Sequence, residues 1–210
     1  MLLQGTYSSN CLTEAHFVEI ASTPYLVTGA TDGYLAFWPL PPLTSDTDTA
    51  GAGTIQWTIH HAIHASSIKA LQTIEIPATG QHLFIGGGDD NALSITAFHF
   101  NDTNPVFNTV CVPNAHASAI TAIKILNVRD EEIEFASSGN DQRVKLWRVT
   151  VDSVTKRIRN VFLLGNRYCA VADVAAMDLM NIPRNKAGEM ERVVVVAGVG
   201  MEMLRLFADK

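Results

Sequence analysis

Hydrophobic and polar positions alternate along nearly the whole chain, in short runs cut by tight clusters of Gly, Asn and Asp. Alternation with a period of two places one side chain in a core and the next in solvent, so such runs predict β-strands. "LVTGATDGYLAFW" (Leu26 to Trp38), "FIGGGDDNALSIT" (Phe84 to Thr96), "FASSGNDQRVKLW" (Phe135 to Trp147) and "VVAGVGMEMLRLF" (Val195 to Phe207) share one form: an apolar run, a turn, and a second alternating run. That form predicts four hairpins. Their turn positions Asp32, Asp90, Asp141 and Met201 lie 58, 51 and 60 residues apart.

The repeat extends on both sides of the hairpin. "HASSIKAL" begins at His64 and "HASAITAI" at His116, 26 and 25 residues before Asp90 and Asp141, while "LTEAHFVEI" from Leu12 and "VAAMDLM" from Val174 stand in the same leading place. Ala and Met in Ala170 to Met180 favour a helix, but the position in the repeat predicts a strand. "TIQWTIH" from Thr54, "PVFNTVCV" from Pro105 and "KRIRNVFLL" from Lys156 follow the first three hairpins as fourth strands. Four short strands per unit of about 50 residues predict a β-propeller blade, hence an all-β fold. The units run over 12–60, 64–112, 116–165 and 171–210, with Leu2 to Tyr7 as the outer strand of a preceding blade and Pro39 to Gly53 as a Pro/Ser/Thr/Gly loop.

Composition narrows the partners. A chain of 210 residues with 47% hydrophobic positions fills a core, and its net charge of −6 confines any contact with nucleic acid or an anionic membrane to local patches. Three widely spaced cysteines, Cys11, Cys111 and Cys169, fit reduced thiols better than a disulfide framework or a zinc site. The N-terminus lacks a secretory pattern, and the longest apolar run, Val193 to Met201, is too short to span a bilayer, so a soluble intracellular chain is expected.

These residues resemble a WD-repeat protein. His116, Ser137, Asp141 and Trp147 match the family's blade pattern in full, and the resemblance implies that they form a buried structural hydrogen-bond chain across the blade. Thr28, Asp32 and Trp38 form a partial set without the leading His, and His64 and Asp90 another, with Gly86 where the hydroxyl belongs and Thr96 in place of Trp. The fourth unit has Ala197, Met201 and Phe207 at these places. With "CLTEAHF", "ATDGYLAFWPL" and "VVAGVGMEMLRLF", the chain is also similar to the C-terminal part of the WD repeat-containing protein 6 family. That likeness implies a WD40-type open arc of about four blades from a longer protein. It also implies a non-catalytic cytoplasmic adaptor that binds the tRNA ribose 2′-O-methyltransferase of the anticodon wobble nucleotide, touching tRNA only indirectly, with no membrane or DNA partner. A generic WD40 scaffold in ubiquitin-ligase, trafficking or signalling assemblies is the alternative.

Other chemistries are weaker. Gly86 to Gly88 lack the following helix and the spacing of a phosphate loop, and adjacent Asp89 and Asp90 point to opposite faces, unlike calcium ligands. "HHAIH" (His60, His61, His64) suits a metal only on a helix. Ser137, His116 and Asp141 suggest a hydrolase triad, but no nucleophile elbow surrounds Ser137 and burial denies substrate access. No cofactor fingerprint, metal set or catalytic residue is therefore expected. Lys156, Arg157, Arg159 and Arg167 form the main basic cluster, with Arg157 and Arg159 on one strand face; they are candidate partner or RNA contacts, or charges that protect an edge strand.

Overall fold

The computed structural model describes residues 2–41, 52–183 and 190–205. Most of the Pro39 to Gly53 loop, together with Phe207 and the C-terminal residues, lies outside the described residues. Every regular element among those described is a strand, so no helix is long and apolar enough to cross a membrane.

In chain order the strands are β1 (Leu2–Gly5), β2 (Leu12–Ile20), β3 (Thr23–Ala30), β4 (Tyr34–Pro39), β5 (Ala52–Ile55), β6 (Ile59–Ala62), β7 (Ile68–Ile76) and β8 (Gln81–Gly88). They continue as β9 (Leu93–Asn101), β10 (Asn104–Val112), β11 (Ile120–Arg129), β12 (Glu132–Gly139), β13 (Arg143–Asp152), β14 (Arg157–Tyr168), β15 (Ala172–Pro183) and β16 (Met190–Arg205). Three antiparallel four-stranded sheets result, β2-β3-β4-β6, β7-β8-β9-β10 and β11-β12-β13-β14, followed by β15 against β16. The inner strands β2, β7, β11 and β15 stand side by side in that order. This is an open arc of a WD40-type propeller. Phe17, on the face of β2 turned away from the second blade, is 78% exposed, as the end of an arc requires.

The first blade differs from expectation in its outer strand. Thr54 to His60 is not one strand: Ala52–Ile55 pairs in parallel with β1, and Ile59–Ala62 pairs with β4. The Pro/Ser/Thr/Gly composition of the connection carries no period that marks where pairing resumes. β1 ends two residues before Tyr7, as β6 ends two residues before His64.

The span of β16 is extended throughout yet contains a chain reversal. Fourteen residues of a straight strand cover roughly 46 Å, whereas Arg205 Nε lies 3.5 Å from Glu191 Oε2. Gly200, at φ +105°, supplies the left-handed conformation on which the chain turns back. The fourth blade therefore presents β15 and the two arms of β16, and Val194, Val196 and Leu204 pack with Val174 and Met177 against Ala136 and Val144 of the third.

Apolar side chains between sheets hold the blades together. Ile85, Leu93 and Ile95 of the second meet Ile120, Phe135 and Trp147 of the third, while Phe37 of the first packs edge-on against Phe84. Close approach depends on missing side chains. A Cβ on Gly87 would lie 2.4 Å from Ile120 Cγ2, and one on Gly29 would lie 3.0 Å from Ile68 Cγ2. Buried amides and imidazoles add cross-blade links: His82 Nε2 lies 2.8 Å from the Glu19 carbonyl, and Gln81 Nε2 donates to the Lys156 carbonyl at 2.9 Å.

Candidate functional site

In the third blade, β12 and β13 place Ser137 and Trp147 on one sheet face, the hairpin turn carries Asp141, and the connection entering β11 supplies His116. Trp147 Nε1 donates to Ser137 Oγ at 2.8 Å. Ser137 Oγ is 2.8 Å from His116 Nε2, and His116 Nδ1 is 2.9 Å from Asp141 Oδ1. The Ala117 and Arg143 amides close the chain on Asp141 at 2.9 and 3.1 Å.

Because an indole N–H only donates and a carboxylate only accepts, the proton order follows. The Ser137 hydroxyl donates to Nε2, and His116 Nδ1–H donates to Asp141. Burial pushes the His116 pKa down, with the Asp141 hydrogen bond partly offsetting it, which suits this neutral ring. Burial pushes Asp141 up, but the His116 and Ala117 hydrogen bonds outweigh it and hold the carboxyl below its ordinary range.

The same distances would fit a serine triad. Ser137 is 0% exposed and its oxygen already accepts the indole proton, so no substrate reaches it. Buried polar groups satisfied in this way brace a fold.

The second blade makes the chain by another route. His64 Nδ1 lies 3.0 Å from Asp90 Oδ1, and the Ala65 amide donates to Asp90 Oδ2 at 2.9 Å. The hydroxyl comes from Ser94, 2.9 Å from His64 Nε2. Gly86 and Ser94 are cross-strand partners, as are Ser137 and Lys145. The hydroxyl has moved across the ladder, and a Cβ on Gly86 would sit 2.7 Å from Ser94 Oγ. The expectation that Gly86 leaves this blade without its hydroxyl is thus corrected: the glycine clears the space that Ser94 fills. Thr96 instead bonds Thr109, Oγ1 to Oγ1, at 3.0 Å.

In the first blade Trp38 Nε1 donates to Thr28 Oγ1 at 3.0 Å. Asp32 accepts from the Tyr7 hydroxyl at 2.9 Å and from Asn10 Nδ2 at 3.0 Å. Tyr7 stands 25 residues before Asp32, the spacing of His116 to Asp141, and so takes the histidine's place. Burial and the Asp32 hydrogen bond push its phenol well above the ordinary value. In the fourth blade buried Cys169 takes that place, and the Ala170 amide donates to Glu202 at 2.6 Å, so Glu202 rather than Met201 supplies the carboxylate.

One backbone contact recurs between blades. The residue after the turn aspartate has positive φ, +84° at Gly33, +61° at Asn91 and +57° at Gln142. Its carbonyl accepts the amide of the next blade's leading residue: Gly33 from His64 at 3.1 Å, Asn91 from His116 at 3.2 Å, and Gln142 from Cys169 at 2.8 Å. Each turn thereby latches onto the following blade.

The three histidines of "HHAIH" do not converge. His60 stacks on Tyr34 with centroids 4.1 Å apart, His61 stacks on Phe107 at 3.9 Å, and His64 belongs to the second-blade chain. Among the described residues no group of His, Cys, Asp or Glu is arranged to hold a metal ion.

The basic cluster also departs from simple alternation. Lys156 sits in a turn at φ +57°, outside β14. Ile158 pairs with Val151 and Asn160 with Thr150, so a bulge at Arg159 breaks the period of two on which a shared arginine face depended. Arg159 is ion-paired to Asp152 at 2.5 Å, while Arg157 and Arg167 are exposed on β14.

The four-stranded blades, their latched turns and the indole-hydroxyl-imidazole-carboxylate chain define a partial β-propeller of the WD40 type. The chain is 26% identical to the tRNA (34-2'-O)-methyltransferase regulator WDR6 of Mus musculus, with 97% of this chain and 19% of that protein covered. It is 28% identical to the regulator of the same name from Rattus norvegicus, covering 85% of this chain and 16% of the relative. The chain thus spans about one fifth of these relatives' length. Among solved structures, the C-terminal WD40 domain of Sif2 matches with a TM-score of 0.55 at 13% identity, over 98% of this chain and 49% of that one, which supports the fold. No protein-family model matches the chain.

Proposed function

We propose that the chain is a non-catalytic WD-repeat adaptor that binds a tRNA 2′-O-methyltransferase in the cytoplasm and supports ribose methylation of the anticodon wobble nucleotide. The observation that carries this reading is the likeness to named methyltransferase regulators over 85–97% of the chain. The site chemistry is compatible with it. Both serine-histidine-aspartate constellations among the described residues, Ser137-His116-Asp141 and Ser94-His64-Asp90, have a fully buried hydroxyl, and an adaptor needs rigid blades rather than a reachable nucleophile.

The tRNA contact in this reading is indirect. A net charge of −6 disfavours a broad phosphate-binding face, and Arg159 is neutralised by Asp152. Affinity purification of the tagged protein from its own cells, with mass spectrometry of tRNA position 34, tests the proposal. Recovery of the methyltransferase and loss of wobble 2′-O-methylation on depletion are expected. Full wobble methylation after depletion would refute it. Ubiquitin-ligase, trafficking or signalling subunits recovered in place of the methyltransferase would establish the general scaffold instead.

A further inference from the structure

A polar cleft of about 440 Å³ opens between the second and third blades, lined by Asn91, Asn114, Arg143, Lys145 and Asn166 beside Asp141. Its floor follows from strand register. Arg143 and Lys145 lie two apart on β13, and their partners on β14 are Tyr168 and Asn166, so all four side chains share the face turned toward the second blade.

Lys69, Lys124, Arg148, Arg159 and Arg205 are ion-paired with Asp89, Asp178, Glu134, Asp152 and Glu191, whereas among the described residues Arg143 and Lys145 have no ion pair. They are nevertheless held in place. The Arg143 guanidinium lies 5.9 Å from the centroid of the Tyr168 ring, and Lys145 Nζ donates to the Ala115 carbonyl, leaving further donors on both.

The nearby Asp141 forms no ion pair with either of them. Its oxygens are engaged by His116 and by the amides of Ala117 and Arg143. The same slot differs in the other blades. Cross-strand register puts Tyr34, Ala36 and His60 there in the first and Ala92, Ser94 and Cys111 in the second. Of these three slots, only that of the third blade combines cations with three side-chain amides.

We propose that this cleft is a docking site for an acidic side chain of a partner polypeptide, with the anionic oxygens of a carboxylate or a phosphate monoester received by Arg143 and Lys145. The fork of a guanidinium matches such an anion through paired N–H groups, and Asn91, Asn114 and Asn166 supply further donors at the wall. A peptide rather than a nucleic acid fits because the slot offers two charges inside a chain of net −6, enough for one anionic group and not for a continuous phosphate backbone. This site does not depend on the identity of the partner.

Fluorescence anisotropy of the intact chain tests it with three labelled hexapeptides, of glutamate, of glutamine, and of alanine with one central phosphoserine, and with a short single-stranded RNA. Saturable binding of the glutamate or phosphoserine peptide is expected, and whichever binds more tightly identifies the anion. Arg143→Gln should weaken it about tenfold, the scale of one lost charge-assisted contact, with the glutamine peptide inert. Arg143 is exposed, with its guanidinium against the Tyr168 ring; its variant and Lys145→Gln are each read only after a melting temperature matching the wild type shows that the fold is kept. Equal binding by the Arg143→Gln protein, no binding of either acidic peptide, or tighter binding of RNA through the same residues would overturn the proposal.

Discussion

Ser94→Ala isolates the displaced hydroxyl of the second blade. The substitution deletes one oxygen, fully buried and 2.9 Å from His64 Nε2, and opens no large cavity. A buried imidazole nitrogen left without a partner costs about 1–3 kcal/mol, and for a domain of this size that lowers the melting temperature by roughly 2–12 °C. Gly86→Ser alone crowds the site, because the new Cβ would lie 2.7 Å from Ser94 Oγ and 3.0 Å from His64 Nε2. Combined with Ser94→Ala the first clash disappears and the new hydroxyl occupies the position that Ser137 holds in the third blade. The double variant should therefore recover about half of the loss, a positive coupling on the order of 1 kcal/mol. Calorimetric or urea melts of the wild type, both single variants and the double variant complete the cycle. A Ser94→Ala loss under about 0.5 kcal/mol, the scale of an ordinary surface change, or strictly additive effects would refute this reasoning.

Gly87→Ala forces a Cβ against Ile120 at 2.4 Å and should cost about 1–3 kcal/mol by overpacking, measured by urea midpoint; a neutral result would mean that the second and third blades are less closely packed than described. Gly33→Ala combines φ +84° with a Cβ 2.2 Å from the His64 carbonyl oxygen, and should be at least as damaging. Hydrogen exchange should show the His64 amide losing protection. Stability should fall in two stages as pH is lowered. Burial depresses His16, His61, His82 and His116 in the folded chain. Below the unfolded histidine value of about 6.5 the unfolded chain therefore binds protons that the folded chain refuses. Asp90 and Asp141 are also held low, so their contribution is present above about 3.9 and is lost as pH falls through the lower folded values. Flat stability between pH 7 and 5 would contradict the first stage.

Much of this architecture is visible in the chain because the blade repeats its own grammar. Alternation gave the strands from Leu12 onward except the outer strand of the first blade, and the Gly/Asn/Asp clusters gave the turns. The substituted members of the polar chains were harder to see because each preserves a position or a contact rather than a residue type. Tyr7 is betrayed only by its 25-residue distance from Asp32. Ser94 could have been found because Gly86 and Ser94 lie four residues either side of Asp90, as Ser137 and Lys145 do around Asp141. Glu202 had no such signal: it follows Cys169 by 33 residues, and the longer connection destroys the spacing. The bulge at Arg159 is likewise invisible to a period-two reading, which assumes an unbroken ladder.

The claim on which the rest stands is that the buried polar chains are braces with a fixed proton order. Long-range proton–nitrogen spectra of histidine-labelled and tryptophan-labelled protein at pH 7 read that order at His116 and Trp147. A neutral His116 with its proton on Nδ1, beside a Trp147 indole N–H that exchanges slowly with solvent, is the predicted result. A proton on Nε2, a charged imidazolium, or an indole N–H that exchanges freely would contradict it.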